Sequence, residues 1–172
     1  KILPYKNFKF LGNDQYLKKK SNSKKFIVNN IYSNESRKKI FEISIKSNYS
    51  PLSVIFKNVT LFSNIKIGLS NIIYPNVTIS TNSILSTGNI ISYDTLIGHD
   101  VKIGKFNFIS PGCKILGEAQ IGNNCLIGSN VKIMPKVKIG NNVNINSGLT
   151  IHQNVKSNSS LIITKNFRSI KN

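Results

Sequence analysis

Few residues in this chain can do acid–base or nucleophilic chemistry. Among 172 residues there are two histidines, His99 and His152, two cysteines, Cys113 and Cys125, and six acidic side chains. His99 stands apart because Asp100 follows it directly, in the segment Ile97-Gly98-His99-Asp100. A carboxylate beside an imidazole orients the ring and raises its basicity, and a histidine held that way suits general-base work near neutral pH. An exposed histidine is more often plain surface, so the pair has to be judged by what surrounds it. Two cysteines form no disulfide framework, and two histidines with two cysteines make a poor metal set. No resident metal is expected.

The elements that must position these residues are repeats. Cut in sixes from Val59, the chain carries Leu or Ile at the third place of sixteen consecutive hexads, from Leu61 through Ile97 and Ile103 to Ile151. Gly fills the fourth place at Gly68, Gly98, Gly104, Gly122, Gly128 and Gly140. Each hexad reads as a short strand plus a turn, with the aliphatic side chain inward and the fourth-place glycine relieving the corner. Three hexads close one coil, and coils stack at strand spacing, ~4.8 Å. One coil cannot bury its own apolar face, so stacking makes the core. The spacing predicts a parallel β-helix of six coils, roughly 29 Å tall. The first place is often small or β-branched, as at Val101, Ala119, Val131 and Val143. Cys113 and Cys125 fall there too, which reads them as inward core residues rather than nucleophiles. The pattern breaks at Ser157, returns at Ile163 and frays at Phe167-Arg168-Ser169.

The repeat is also a ruler, because only residues three hexads apart stack. His99 and His152 lie on one edge about three coils apart and cannot share a metal. Gly117 follows His99 by three hexads, so it sits one coil above, where its backbone N–H can face an oxyanion.

Residues 1–52 differ in texture from 53–172. Phe26-Ile27-Val28 reads as a short buried strand. Ser33 and Glu35 read as a helix start, and Arg37 to Lys46 as an amphipathic helix burying Ile40, Phe41 and Ile45. This is the tail of a small α/β unit. The formal net charge of +18 admits an anionic partner. Yet Lys and Asn are spread throughout, as compositional drift would leave them, and the basic runs (Lys18-Lys19-Lys20, Lys24-Lys25, Lys38-Lys39) accompany no nucleic-acid motif. No run is long and apolar enough for a membrane span, and no signal-peptide pattern opens the chain, so a cytoplasmic protein is expected. The chain opens on Lys1 rather than Met, as a processed or truncated form would.

The stretch from Ile91 to Gly122, with Ile97-Gly98-His99-Asp100, Ser110-Pro111-Gly112 and Leu116-Gly117, resembles the PglD/NeuD-like hexapeptide-repeat sugar acetyltransferases. The resemblance runs back through Phe26-Ile27-Val28 and Arg37-Lys38-Lys39-Ile40 and forward to about Gly148. It implies a left-handed parallel β-helix over 53–172, preceded over 1–52 by a short remnant of the family's α/β domain on the acceptor side. It implies a homotrimer with active sites between subunits and acetyl-CoA as the donor. It makes His99 the general base, Asp100 its acidic partner and Gly117 the glycine beside the thioester. Ser129, Ser147 and Gly148 fall where the family lines the CoA groove. The chain departs from the family at Phe108 and Ser92, where a histidine and an asparagine are usual. It departs also at Phe56-Lys57, in the Ile163-Thr164-Lys165-Asn166 ending, and in lacking a glycine-rich nucleotide turn.

The expected activity is direct transfer of an acetyl group from acetyl-CoA to a sugar, at the amino group of a nucleotide-linked amino sugar, in surface-glycan synthesis. Lys136 and Lys138 are candidates for holding the CoA phosphates, although solvated surface is the commoner role for either. Two alternatives stand beside this reading. One is O-acetylation of a sugar or sialic acid. The other is a non-catalytic β-helix serving as scaffold or binding module, in which case no acetyl-CoA would be bound.

Overall fold

A computed structural model describes residues 14–18 and 25–163. Lys1, Lys19, Lys20, Lys24 and the stretch from Thr164 to Ser169 lie outside the described residues. After a 3-10 turn at Asp14–Lys18 come β1 (Lys25–Ile27), α1 (Asn34–Lys46) and β2 (Tyr49–Pro51). β1 and β2 pair in parallel, with Lys25 opposite Tyr49. The strand expected at Phe26-Ile27-Val28 is present but not buried. Phe26 is 57% and Val28 51% exposed, in a sheet that has two strands among the described residues. No helix of the described residues is long and apolar enough to cross a membrane.

α1 begins as its sequence requires: the Ser33 hydroxyl accepts the Ser36 N–H at 3.3 Å, and Glu35 sits in the first turn. Its buried stripe differs from the expected one. Ile40 is buried, but Ile45 is exposed, and the other buried residues are Arg37 and Ser44. α1 packs against a β-helix corner rich in backbone carbonyls, which needs donors rather than a third aliphatic side chain. Arg37 supplies them. It is 0% exposed, and its guanidinium donates to five acceptors. Nε reaches Gly88 O at 2.7 Å. Nη1 reaches Ile31 O and Tyr32 O. Nη2 reaches Asn34 Oδ1 and Asn107 O. Burial lowers its pKa to about 10, which leaves it charged at neutral pH. Arg37→Ala is expected to cost about 3–5 kcal/mol, because it strands these acceptors in a dry contact. Arg37→Lys keeps the charge but cannot reach five acceptors in a fork, and should recover little. Urea titration of the three proteins checks this, and equal midpoints would refute it.

From Val54 the chain coils. Its two-residue strands form three parallel sheets, the faces of a triangular left-handed β-helix. The first face runs from Val54–Ile55 to Ser160–Leu161, the second from Thr60–Leu61 to Thr150–Ile151, and the third from Lys66–Ile67 to Lys138–Ile139. Register follows the predicted three-hexad step: Ile97 lies between Ile79 and Ile115, and Ile103 between Leu85 and Ile121. The third-place side chains fill the interior together with Val101, Ala119, Val131 and both cysteines. Leu61, in the first coil, is exposed because no coil lies beneath it.

Three details depart from the sequence reading. First, the residue that turns each corner is at the sixth place. Asn82, Asp94, Asp100, Asn124 and Asn130 all have φ between 56° and 60°, a region Asn and Asp tolerate best after Gly. The fourth-place glycines instead let the next coil's backbone approach; a Cβ on Gly128 would lie 2.5 Å from Ser147 N. Second, the first place in successive coils holds fully buried Asn71, Asn89 and Asn107. Each side-chain oxygen accepts the backbone N–H of the residue stacked one coil above, at 2.7–2.9 Å, ending on Cys125 N. Third, the corner after Ile151 is short. Val155 bridges to Ile139 and Leu161 pairs with Ile145, a step shorter than a full coil, so Leu161 rather than Ile163 resumes the stack.

Candidate active site

His99 and Asp100 close the corner between the second and third faces in the third coil. At the sixth place, Asp100 takes φ 56°, and its carboxylate lies along the helix edge. One oxygen meets His99 Nδ1 at 2.8 Å; the other accepts from Asn82 Nδ2, one coil below, at 3.2 Å. The hydrogen bond from His99, aided by Asn82 and by the charges of His99 and Lys102, outweighs slight desolvation and holds the Asp100 carboxyl below the usual carboxylate range. An ionised Asp100 accepts at Nδ1, so the proton of neutral His99 resides there and the Nε2 lone pair is free. The ring is 59% exposed, open to an incoming molecule.

The other end of the ring packs over Gly117. A Cβ on Gly117 would overlap His99 Nε2 and stand 2.7 Å from Cε1. Gly98 plays the matching part below, since a Cβ there would lie 2.7 Å from Gly117 N. The His99 carbonyl accepts the Glu118 N–H at 2.8 Å, fixing the two coils to each other at this point. The Gly117 N–H itself has no hydrogen-bond partner among the described residues. A free lone pair and an unpaired backbone donor therefore share one open corner. That is what a proton transfer coupled to development of an oxyanion requires.

Ser129, Ser147 and Gly148 lie elsewhere, on the corner between the first and second faces in the fifth and sixth coils. Ser147 Oγ accepts the Ser129 N–H at 3.1 Å, and Gly148 turns its corner at φ 77°. A cavity of about 470 Å³ borders Ser147, Gly128 and Ser110. The second face separates this corner from His99, and one chain does not bring the two sets together. Beside Asp100, a trough of about 460 Å³ opens onto the third face and collects Lys102, Lys136 and Lys138 with Glu118. Lys136 Nζ lies 3.8 Å from Glu118.

His152 shares the His99 edge but sits in the sixth coil, as the ruler places it. Among the described residues no three His, Cys, Asp or Glu side chains cluster as metal ligands. Both cysteines are buried, Cys113 donating to Gly128 O and Cys125 to Gly140 O, each at 3.1 Å. Burial pushes the Cys113 thiol up to about 11 and raises that of Cys125, which removes either as a thiolate nucleophile at neutral pH. The sequence reading missed Asn82, although it stands one coil before Asp100 and the same ruler finds it.

Residues 118–153 match the family model described as bacterial transferase hexapeptide (six repeats). No curated protein matches the chain. Several solved structures share its fold. PerB from Caulobacter crescentus, in complex with CoA and GDP-perosamine, aligns with a TM-score of 0.77 at 17% identity, over 79% of this chain and 66% of that one. The acetyltransferase domain of PglB from Neisseria gonorrhoeae FA1090, in complex with acetyl coenzyme A, aligns at 0.84 and 21% identity over 90% of this chain and 75% of that one. WeeI from Acinetobacter baumannii AYE aligns at 0.79 and 19% identity, over 85% and 71%. This chain spans 66% of the PerB chain.

Proposed function

We propose that this chain is an acetyl-CoA-dependent acetyltransferase acting on the amino group of a nucleotide-linked amino sugar in surface-glycan synthesis. The observation that carries the proposal is the His99 corner: Nδ1 tied to Asp100 at 2.8 Å, Nε2 free, and the ring packed over Gly117 with its unpaired N–H. Nε2 removes a proton from the acceptor amine as its nitrogen bonds to the thioester carbon. The carbonyl oxygen takes the negative charge, and the Gly117 N–H stabilises it. Collapse of the tetrahedral intermediate breaks the carbon–sulfur bond. CoA leaves with the proton returned by His99, and no acyl-enzyme forms. The ligands named for PerB and for the PglB domain, CoA with GDP-perosamine and acetyl coenzyme A, support this donor and acceptor class. Residues 1–52 belong to the acceptor side, and the cytoplasm is the proposed location.

The test is thiol release from acetyl-CoA with amino sugars, nucleotide-linked amino sugars and sialic acids, alongside calorimetric titration of acetyl-CoA. Release with a nucleotide-linked amino sugar is expected. Release with hydroxyl acceptors alone would reassign the protein to O-acetylation. Absence of acetyl-CoA binding would return it to a non-catalytic scaffold.

The protein acts as a homotrimer in this proposal. The corner that carries Ser129 and Ser147 also exposes Phe56 and Tyr93, with Leu126 on the adjoining first face, and a second subunit that covers it can bring those serines to a neighbour's His99. Light scattering at micromolar concentration is expected to return three times the 19.2 kDa chain mass. A stable monomer would remove both the trimer and the inter-subunit site.

A further inference from the structure

A cavity of about 840 Å³ lies away from His99, between α1 and the corner that joins the third face to the first. We infer that it binds a neutral carbohydrate, independently of the acetyl-transfer site.

Its floor is two ladders of residues stacked coil on coil. In one, the side-chain oxygens of Asn123 and Asn141 accept the backbone N–H groups of Lys105 and Asn123, both at 2.7 Å. These bonds fix the two amides, and their NH₂ groups have no partner among the described residues. They stand one coil apart, ~4.8 Å, close to the separation of hydroxyls on alternate carbons of a pyranose ring. In the second ladder, Asn124 donates to Asn142 at 3.0 Å, which leaves the Asn124 side-chain oxygen as a fixed acceptor. The cavity thus presents preset donors and an acceptor in rows, with their orientation already settled before any ligand arrives.

Its end wall is aromatic. Phe106 takes φ 55°, a conformation bulky side chains seldom adopt. Its ring lies where a Cβ on Gly88 would be and meets the Phe41 ring edge-on, centroids 5.6 Å apart. Phe106 is itself only 8% exposed, so it backs the half-buried Phe41 ring, which is the aromatic surface left for the C–H face of a sugar. Charge decides between a neutral and an anionic ligand. Glu35 and Glu42 on the roof offset Lys38 and Lys105, and Lys38 Nζ is 4.0 Å from Glu42, so this cavity is balanced although the chain carries +18. A phosphate or carboxylate gains little here. A polyhydroxylated neutral ring meets donors, acceptors and an apolar wall, and the volume lies in the range of small-ligand pockets.

The experiment is calorimetric and NMR titration of the full chain with lactose, maltotriose and N,N′-diacetylchitobiose at millimolar concentrations. At least one is expected to bind and to shift the Asn123 and Asn141 side-chain amides. Asn123→Asp combined with Asn141→Asp keeps the oxygens that accept from Lys105 and Asn123 but deletes both donors. Affinity should fall by about tenfold or more with the melting temperature retained. Phe41→Leu, on the roof, gives an independent loss if the double variant folds poorly. His99→Ala should bind as the wild type does. The inference is overturned if none of the three sugars binds, or if the folded Asn variant binds as the wild type does. It is overturned equally if His99→Ala abolishes binding, or if inorganic phosphate is the species that shifts these amides.

Discussion

Replacing His99 with alanine is expected to lower acetyl transfer about 10²–10⁴-fold while acetyl-CoA affinity stays near the wild-type value. The ring is exposed and supports no core contact, so the loss should not come from unfolding. Asp100→Asn should cost less. It leaves the ring in place but removes the charge that holds the proton on Nδ1, and an amide can turn its NH₂ toward the ring and favour the wrong tautomer. Gly117→Ala separates geometry from chemistry. The added methyl overlaps Nε2, so the ring must swing off its place over Gly117. Turnover should fall toward the His99→Ala level although every reacting group is still present. His152→Ala should change nothing, three coils away on a shortened corner. Thiol release measured on one good acceptor checks the whole series. Wild-type turnover in His99→Ala would falsify the assignment of the base.

Ile103→Asp should prevent stable folding or cost several kcal/mol. Ile103 is 1% exposed and stacks between Leu85 and Ile121, so the carboxylate would enter the stack with no donor in reach. Its strand neighbour supplies the control. Lys102 points outward, and Lys102→Asp should alter stability by no more than about 0.5 kcal/mol. Denaturant midpoints of the two variants report on register directly, because a slip of one residue exchanges their roles. A cooperative, wild-type-like transition for Ile103→Asp would mean that the inward row is wrongly assigned.

Much of the molecule was legible because its order is carried by nearest neighbours in a stack. A coil contacts only the coil above and below, so a period of six with one aliphatic place fixes which side chains point inward and which residues meet. From that, the sequence placed Gly117 over His99, put His152 out of reach, and buried Cys113 and Cys125. The same rule contained Asn82 under Asp100 and the buried ladder of Asn71, Asn89 and Asn107. Both rest on polar side chains, which an apolar period does not mark, although the three-hexad step finds their partners. The corner residue is ambiguous in the sequence for a different reason. Glycine at the fourth place suggested a turn, whereas Asn and Asp at the sixth turn the chain and the glycine makes room for the neighbouring coil.

The coil, its register, the inward row and the His99–Asp100–Gly117 corner are all readable in the order of residues, because each follows from whole-coil steps along one chain. What α1 buries follows instead from packing between elements far apart in the chain. The acceptors that draw Arg37 inward at Gly88 and Asn107 lie 51 and 70 residues away, and no local pattern announces a carbonyl-lined corner. The hexad period stacks Ser129 on Ser147 and puts both on a different corner from His99, with a whole face between, so a single chain leaves that gap open. A period fixes neighbours within a stack, while the meeting of different faces depends on how separate elements, or separate subunits, are docked.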